Sequence, residues 1–323
     1  MKRMSGGVPP ALVVLLVAPF FGEVLSTATP PLDLILPWRF PVVVALYGCG
    51  ALLCREIAHR FKLGLPGLCL LAAAYAVYEE GLVDRFWFDP RYWADVGVGS
   101  YSEVWHTNLL IASHLTVFHV AVSVCSSVLV VEWLFPAHRN QPWTGRRGRT
   151  LAGLALLGVL PLTYTDFARV PAGQMLAAGG LCLLLIAAAF LIPRRRRPPR
   201  AVIREPRRRL VGLIAFAGTA AHFVLVYTVP STGLAWPAGM VVTLAPVAAA
   251  ALLINRLAAG DGAYGPDGLW AVTGIVAFFL MLDALVGLGG RYDLTAGALA
   301  TTLAFWSLHR SLHRRKVPSH ACR

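Results

Sequence analysis

The sequence contains little charge and few acidic residues. Asp, Glu, Lys and Arg make up 14% of its 323 residues, and only 16 residues are acidic against 29 that are basic. Soluble domains carry about 25% charged residues, whereas 57% of this chain is hydrophobic and its mean hydropathy is +0.64. This composition excludes an ordinary soluble domain and a disordered chain. It predicts a polytopic integral membrane protein of the all-α class.

Paired cysteines, internal repeats and a phosphate-binding loop are also missing. The pattern excludes a disulfide framework and a zinc knuckle, because the six cysteines stand singly at Cys49, Cys54, Cys69, Cys125, Cys182 and Cys322. The absence of a repeat removes support for an inverted-repeat transporter. Without a P-loop, any pumping would need a partner or an ion gradient.

Ten apolar runs approach the ~20 residues that a helix needs to cross the hydrocarbon of a bilayer. They predict a bundle of about ten transmembrane helices surrounded by lipid. The runs lie at residues 8–27, 40–58, 64–84, 107–134, 150–167, 171–193, 210–229, 236–255, 269–288 and 294–311.

Nearly all of the basic residues fall on alternate loops. All but five of the 29 Lys and Arg lie in the N-terminal segment, after the second, fourth, sixth and eighth runs, or in the C-terminal tail. Basic loops are retained in the cytoplasm, so both termini are predicted to be cytoplasmic, in the inner membrane of a bacterium. The net charge of +13 then reflects topology and does not indicate a nucleic-acid partner.

The first apolar run also has the shape of a cleavable signal peptide. It has a basic start, an apolar core from Ala11 to Phe21 and small residues at positions 26–28. Cleavage would remove Glu23 and leave nine spans. The charge alternation favours the uncleaved, ten-span alternative.

The stretch from Arg194 to Arg209 is the clearest break in composition. It is rich in Arg, whose like charges repel, and in Pro, whose ring opposes a helix. It divides a six-span part at 1–193 from a four-span part at 210–323 that ends in a basic tail. The loop at 194–209 is either simply solvated or attracts anionic lipid headgroups, at about 1 kcal/mol per basic residue.

The longest outer loop runs from about Arg85 to Trp105 and combines aromatic with acidic residues. Aromatic rings at headgroup level anchor proteins in the bilayer, and anchoring explains most of this cluster. A lid over a cavity would have the same composition. Asp89, within the aromatic stretch, is therefore a candidate member of a polar network.

Ionisable residues within the apolar runs fall at one depth, in the predicted outer half of the membrane. Such residues are expensive in lipid unless they are paired or hydrated, so they usually line a cavity, a pathway or an interhelical network. Each of them alone is a weak signal. The set is Glu23, Glu79, Glu80, His114, His119, Asp166, His222 and Asp283.

Glu79, Glu80 and His119 are the strongest catalytic candidates. Neighbouring helical residues lie about 100° apart, so one carboxylate is expected to face the bundle while the other turns toward a different helix. Two carboxyl groups held close in a low dielectric cannot both ionise readily, which suits a general acid or a proton carrier. The alternative without chemistry is an ordinary ion-pair cluster of the two glutamates with Arg85 at the water boundary.

The two histidines of the fourth run, His114 and His119, are predicted to lie on different faces of their helix. Their five-residue spacing rejects the metal-binding HExxH geometry. A metal would need ligands from other helices, such as Glu79, Glu80 or His222, and no metal or cofactor is assigned. Arg55, Glu56, Glu132, His309 and His313 are expected at the cytoplasmic rim, where snorkelling and ion pairing explain them.

A set of short motifs stands out in roughly the first 150 residues. They are Gly22-Glu23 with Pro30-Pro31, Leu46-Tyr47-Gly48 with Arg55-Glu56, Ala74-Tyr75 with Glu79-Glu80-Gly81-Leu82, Phe88-Asp89-Pro90, His119, and Val131-Glu132 with Leu134-Phe135-Pro136. Together they resemble a family of uncharacterised bacterial multi-spanning proteins. That resemblance implies a membrane protein and brings no established activity.

Glu79, Glu80 and His119 also show partial similarity to the CAAX-type intramembrane proteases, the bacterial Abi or CPBP group. That family carries an EExxxR motif and later histidines, which activate water for peptide hydrolysis. Here the arginine stands one residue late, at Arg85, and Asp84 occupies its expected position. No later HxxxN or HxxxD motif follows within a span.

Three functions are compatible with these residues. An intramembrane enzyme would use Glu79 or Glu80 with His119 as acid and base on a lipid, isoprenoid or peptide. A proton-coupled transporter would use them as a relay, and would need access from both sides of the membrane. An accessory subunit would use them only to hold its helices together.

Overall fold

Helices make up most of the residues that the structure describes. A computed structural model describes residues 8–163, 168–192, 205–257 and 266–314. The structure is 81% helical with almost no strand. The predicted all-α class is therefore confirmed.

The α-helices of the described residues are numbered in chain order. They are α1 (Pro10–Pro19), α2 (Pro31–Leu34), α3 (Phe40–Val43), α4 (Cys49–Arg60), α5 (Gly64–Ala76), α6 (Pro90–Asp95), α7 (Leu109–Phe118), α8 (Ser127–Leu134), α9 (Arg146–Leu162), α10 (Ala172–Leu191), α11 (Glu205–Thr228), α12 (Trp236–Leu257), α13 (Pro266–Leu288) and α14 (Tyr292–Arg314). Short 3₁₀ turns lie at Phe86–Phe88, Pro136–His138 and Val229–Thr232.

Six helical stretches of the described residues are long and apolar enough to cross a membrane. They are Phe40–Arg60, Leu109–Leu134, Ala172–Leu191, Arg207–Thr232, Trp236–Leu257 and Asp267–Leu288, and a shorter apolar helix covers Pro10–Val24. The count of ten spans and the cytoplasmic position of both termini stay predictions.

Four helical stretches of the described residues contain a π-helical turn, in which each hydrogen bond skips one residue more than in an α-helix. The turns are Phe20–Val24 after α1, Val44–Gly48 between α3 and α4, Val77–Val83 after α5, and His119–Ser126 between α7 and α8. Such turns are frequent at functional sites. The apolar pattern of the sequence does not predict these turns.

Close packing between the π turns depends on glycine. A Cβ atom at Gly22 would collide with the ring of Tyr47, and one at Gly48 would lie 2.9 Å from the Cα atom of Leu15. Small residues let membrane helices approach closely. The first helices therefore meet with little space between their backbones.

The parts of the chain before and after residues 193–204 share an apolar core. One buried cluster combines Phe21, Val122 and Leu129 with Phe278 and Phe305. Helices α11 to α14 pack against one another, and a second cluster joins α1, α4, α5, α9 and α10. The division at 1–193 and 210–323 stays a prediction of chain organisation.

The start of α11 corrects the predicted loop at 194–209. The helix begins at Glu205, so residues 205–209 are helical and not loop. Pro206 lies in the first helical turn, where its missing N–H group is not needed. Arg208, 3.2 Å from Asp267, forms an ion pair with α13.

The long loop after Val83 is folded, with its aromatic residues partly inside. Trp93 is 2% exposed and the side chain of Asp89 accepts a hydrogen bond from the backbone of Arg91, which caps α6. Strands β1 (Glu103–Val104) and β2 (Thr107–Asn108) pair antiparallel before α7. The loop is thus more than an anchoring belt.

Candidate functional site

Glu79, Glu80 and His119 meet in one buried cluster. Glu80 Oε1 lies 2.7 Å from Nε2 of His119, and Glu79 Oε2 lies 3.1 Å from Nδ1 of the same ring. All three side chains are at most 5% exposed. The three leading catalytic candidates of the sequence are therefore brought together.

The π turns explain how both carboxylates reach one histidine. In an α-helix, neighbouring side chains point about 100° apart, so we predicted that the two glutamates would face different partners. That prediction is wrong, because Glu79 and Glu80 lie on the π turn Val77–Val83, and His119 begins the π turn of the facing helix. A π turn holds more residues, and its neighbouring side chains point in more similar directions.

The cluster contains carboxylate oxygens without donors. Neither Glu79 Oε1 nor Glu80 Oε2 receives a hydrogen bond from any residue that the structure describes. Buried polar atoms are normally hydrogen-bonded, and exceptions call for an explanation such as a catalytic role or a bound ion. Of these two residues, only Glu80 lines the cavity beside the cluster, whereas Glu79 interacts with the side chain of Tyr75.

The histidine ring defines how protons can be arranged in the cluster. A neutral imidazole donates from one nitrogen and accepts at the other, while an ionised carboxylate only accepts. A proton on Nδ1 faces Glu79 and the hydroxyl of Ser123, which is 3.1 Å away. A second proton can lie on Glu80 or on Nε2 of His119, and Glu80 Oε1 is 2.7 Å from that nitrogen. Transfer of the proton from Glu80 to Nε2 converts the carboxylic acid of Glu80 into a carboxylate.

A cavity of about 720 Å³ opens beside this cluster. Its lining includes Glu23, Glu80, His114 and His119, which belong to the predicted set, but not Glu79. All four π turns contribute to the wall, through Gly22 and Glu23, Leu46 and Tyr47, Glu80, and His119. The wider turns thus surround the cavity on several sides.

Several lining residues were missed by the sequence analysis. Asp84, Tyr47, Tyr92 and Tyr227 line the cavity. Tyr47 and Asp84 had a signal, since Tyr47 belongs to a quoted motif and Asp84 occupies the expected arginine position. Tyr227 had none, because one tyrosine in an apolar helix is ordinary.

The outer loop covers part of the cavity. The rings of Phe86 and Tyr92 stack with centroids 4.0 Å apart, and both residues line the cavity wall. Arg85, which is 1% exposed, donates to the carbonyl oxygen of Ala168. The loop is therefore held over the site by buried side chains.

Glu23 is positioned by the turn that follows it. Its Oε2 atom accepts a hydrogen bond from the hydroxyl of Thr29, and its carbonyl oxygen accepts one from Ser26. Thr29 is buried, and both residues line the cavity. The predicted polar-network role of Glu23 is thus compatible with its place in the wall.

His114 and His222 form a separate pair. His222 Nδ1 lies 2.7 Å from the carbonyl oxygen of Thr243 and must donate to it. In the neutral ring His222 Nε2 then accepts, so His114 Nδ1, 3.1 Å away, is the donor. His114 and His119 thus have different hydrogen-bond partners, although both line the same cavity and were predicted to lie on different faces of their helix.

The other candidates lie away from the cluster. Asp283 on α13 is 1% exposed, and neither of its carboxylate oxygens is hydrogen-bonded among the described residues. It is not part of the cavity lining. Asp89 caps α6 and binds Arg91, with Nη2 2.9 Å from Oδ2. Asp166 lies outside the described residues.

Arg55, Glu56 and Glu132, predicted at a snorkelling rim, are buried. Arg55 Nε lies 2.9 Å from Glu132 and Nη1 lies 2.8 Å from Glu56. The guanidinium also donates to the carbonyl oxygens of Arg139 and Gln141 and packs 4.1 Å from the ring centre of Trp143. Ion pairing is as expected, but the loop after α8 folds over the charges and excludes water.

The central cluster could also hold a metal ion. Each of the residues Glu79, Glu80 and His119 offers one donor atom, and these three atoms lie within 4.8 Å of one another. A histidine nitrogen with carboxylate oxygens suits zinc and other divalent first-row metals. Of the metal partners suggested by the sequence, Glu79 and Glu80 reach His119, whereas His222 contacts His114.

Comparisons with known proteins agree with the membrane class. The model of an uncharacterized membrane protein family matches residues 12–284, which cover most of the chain and include the whole cluster. No curated protein and no solved structure matches the chain.

Proposed function

We propose that this chain, which belongs to an uncharacterized membrane protein family, is an intramembrane enzyme that performs acid–base chemistry on a lipid, isoprenoid or peptide. The observation that carries the proposal is the position of His119 between two buried carboxylates, beside a cavity of about 720 Å³. A positioned acid or base contributes about 10²- to 10⁴-fold to a reaction rate.

The cavity separates the roles of the two glutamates. Glu80 and His119 line the cavity, so they can touch a substrate and exchange a proton with it. Glu79 is fully buried and approaches only the far nitrogen of the ring. We assign Glu80 and His119 as the catalytic pair and Glu79 as the residue that positions the imidazole.

The proposed proton transfer starts with a protonated Glu80. Glu80 donates its proton to a basic atom of the substrate, while His119 carries a proton on each ring nitrogen and is paired with the carboxylate of Glu79. The carboxylate that forms on Glu80 then accepts a hydrogen bond from Nε2 of His119. In the reverse direction Glu80 and His119 remove a proton. Exclusion of water by the folded loop strengthens these electrostatic interactions.

The enzyme has more support than the two alternatives. A transporter needs a second access route, but the cavity wall is built from the helix ends near the loops at 25–39, 84–108 and 228–235. An accessory subunit would be expected to satisfy its buried carboxylates. Glu79 Oε1 and Glu80 Oε2 lack donors among the described residues.

A metal-dependent form of the same enzyme is the second candidate. It is favoured by the grouping of the three donor atoms within 4.8 Å. In that case Glu79, Glu80 and His119 would hold the ion, which would supply Lewis-acid chemistry. Metal content of the purified protein, compared with that of a His119→Gln variant, separates the two forms.

The location and topology belong to the same proposal. We place the chain in the bacterial cytoplasmic membrane, with ten spans and both termini in the cytoplasm. The support is the charge asymmetry of the loops. Reporter fusions at the two termini test it, and a periplasmic signal from either would overturn it.

The function is tested by mass spectrometry of membrane lipids and small metabolites from cells that produce wild type or Glu80→Gln at equal levels. We expect a species whose amount changes only with wild type. Glu103→Gln is the matched control, because Glu103 is exposed on β1, away from the cavity. It should reproduce the wild-type pattern.

Two results would overturn the proposed enzyme. One is an identical lipid and metabolite pattern for wild type, Glu80→Gln and cells without the protein. The other is a wild-type pattern from correctly folded Glu80→Gln. Thermal unfolding of the detergent-solubilised variants shows whether they are folded.

A further inference from the structure

A second cavity adjoins the polar one and is almost entirely apolar. It has a volume of about 200 Å³. His114, Phe118, Phe223 and Phe279 line both cavities, so the two spaces meet at these four side chains. A molecule that passes between these side chains would contact a polar and an apolar environment at once.

The apolar cavity is a cleft that follows the helices. Its wall includes Ala215 to Phe223 on α11 and Val247 to Ile254 on α12. At 1.5 Å per residue these stretches are about 10 to 12 Å long. The cleft thus extends from the histidine pair toward the Arg256 end of α12, along the direction of the helices.

The side chains in the cleft suit a hydrocarbon chain. Small residues, such as Ala121, Gly218 and Ala251, leave the space open, and aromatic rings line the end that adjoins the polar cavity. The two histidines there bind each other and the carbonyl oxygen of Thr243. Their polar atoms are largely used, so the wall offers few hydrogen bonds to a polar ligand.

The polar cavity selects against an anionic head group. Its lining contains the carboxyl groups of Glu23, Glu80 and Asp84, whereas Arg39 is the single Lys or Arg among the described lining residues. Arg39 is also exposed. Burial of an anion is costly unless an opposite charge pairs with it, and the carboxyl groups of this lining supply none, so an uncharged or cationic head group fits better than a phosphate or carboxylate.

We propose that the substrate is a single-chain amphiphile whose aliphatic chain lies in the cleft between α7, α11, α12 and α13. Its uncharged or cationic head group then reaches Glu80 and His119. This inference rests on the proposed function, and it narrows the substrate class from lipid, isoprenoid or peptide to an aliphatic amphiphile without an anionic head.

The test uses photoreactive probes that need no turnover. Three probes carry the same diazirine-labelled aliphatic chain with a glycerol, an amine or a phosphate head group. Purified full-length protein in neutral detergent is irradiated with each probe, and labelled peptides are identified by mass spectrometry. We expect the glycerol and amine probes to label peptides of α11 and α12, and the phosphate probe to label them much less.

The matched variants are Ala251→Phe and Ala249→Phe. Both alanines are exposed on α12, but only Ala251 lines the cleft. A phenyl ring at position 251 displaces several methylene groups, each of which contributes about fourfold to binding. Labelling should fall about tenfold or more in Ala251→Phe and stay unchanged in Ala249→Phe.

The outcomes for the cleft and for the enzyme are distinguishable. Labelling of wild type by the glycerol probe reports binding in the cleft without turnover. Such labelling, together with no wild-type-dependent species in cells, would support the cleft and reject the enzyme. Equal labelling of both alanine variants, or preferred labelling by the phosphate probe, would overturn the inference.

Discussion

Two buried charge clusters lie at opposite ends of the same helices, and they differ in how their polar atoms are used. His119 and Glu132 are separated by 13 residues of the α7–α8 stretch, or about 20 Å. Near Glu132, the guanidinium of Arg55 binds two carboxylates and several backbone carbonyl oxygens. Near His119, two carboxylates face one imidazole beside a large cavity.

The difference teaches how burial can serve structure in one place and chemistry in another. Burying a charge is costly unless it is paired and hydrogen-bonded. The Arg55 cluster meets most of that demand with contacts from the loop after α8, although Glu132 Oε2 accepts no hydrogen bond among the described residues, and it fastens that loop to α4. In the His119 cluster three of the four carboxylate oxygens have no donor among the described residues, a pattern found at active sites.

The largest effect is expected from Arg55→Met. The variant leaves Glu56 and Glu132 buried without their guanidinium, and loss of one partner of a buried ion pair costs about 3–5 kcal/mol. The free energy of unfolding in detergent should fall by that amount. Arg60→Met is the control, since Arg60 is exposed on the same helix. A similar loss in both variants would contradict a structural role specific to Arg55.

Glu79→Gln tests the chemical role of the His119 cluster, as Arg55→Met tests the structural role of the Arg55 cluster. The amide can donate a hydrogen bond to Nδ1 and so favour the wrong tautomer of His119. The wild-type-dependent species should fall about 10²-fold, equivalent to about 2.7 kcal/mol in activation free energy. The unfolding temperature should change little.

A separate readout identifies Glu79 as a positioning residue. Nitrogen NMR of the His119 ring should show a change in which nitrogen carries the proton in Glu79→Gln. The conservative Glu79→Asp variant keeps an acceptor and should retain more of the wild-type tautomer. An unchanged ring spectrum in both variants would rule out the assigned role.

Gly22→Ala should disturb the cavity wall without changing any charge. The added methyl group collides with the ring of Tyr47, and overpacking of this kind costs about 1–3 kcal/mol. Gly153→Ala on α9 is the control, because a Cβ there meets nothing within 4 Å. That change should stabilise the helix by about 0.5–1 kcal/mol, and equal effects of both alanines would contradict the tight packing.

The smallest effect is expected at Asp89, outside both clusters. Asp89→Ala removes the cap of α6 and should cost about 1 kcal/mol, whereas Asp89→Asn keeps a capping oxygen and should cost less. Hydrogen bonds from Arg91 hold the pKa of Asp89 below its usual value. Its stabilising charge is therefore fully present above the usual pKa and is lost as the pH falls through the lowered one.

Unfolding measured across the acidic range tests this assignment. The pH dependence of wild type in that window should be reduced in Asp89→Asn. Equal pH profiles for the two proteins would show that the charge of Asp89 does not contribute to stability.

The sequence identified the membrane class and much of the site for simple reasons. Apolar runs must match the thickness of a bilayer, so composition and spacing alone predict helices that cross it. Ionisable residues are rare in such runs, so Glu79, Glu80 and His119 stood out. The Arg55 cluster was expected at a wet rim, because nothing in a sequence shows that a loop folds over a charge.

The membrane environment and the helical class were thus determined by the sequence itself, because they depend on local hydropathy summed along the chain. Which polar groups meet was decided only by the tertiary structure. Glu80 and His119 are 39 residues apart, and their contact depends on how two helices pack and rotate. The π turns change the angle between neighbouring side chains from its value in an α-helix, so both carboxylates point toward the ring of His119.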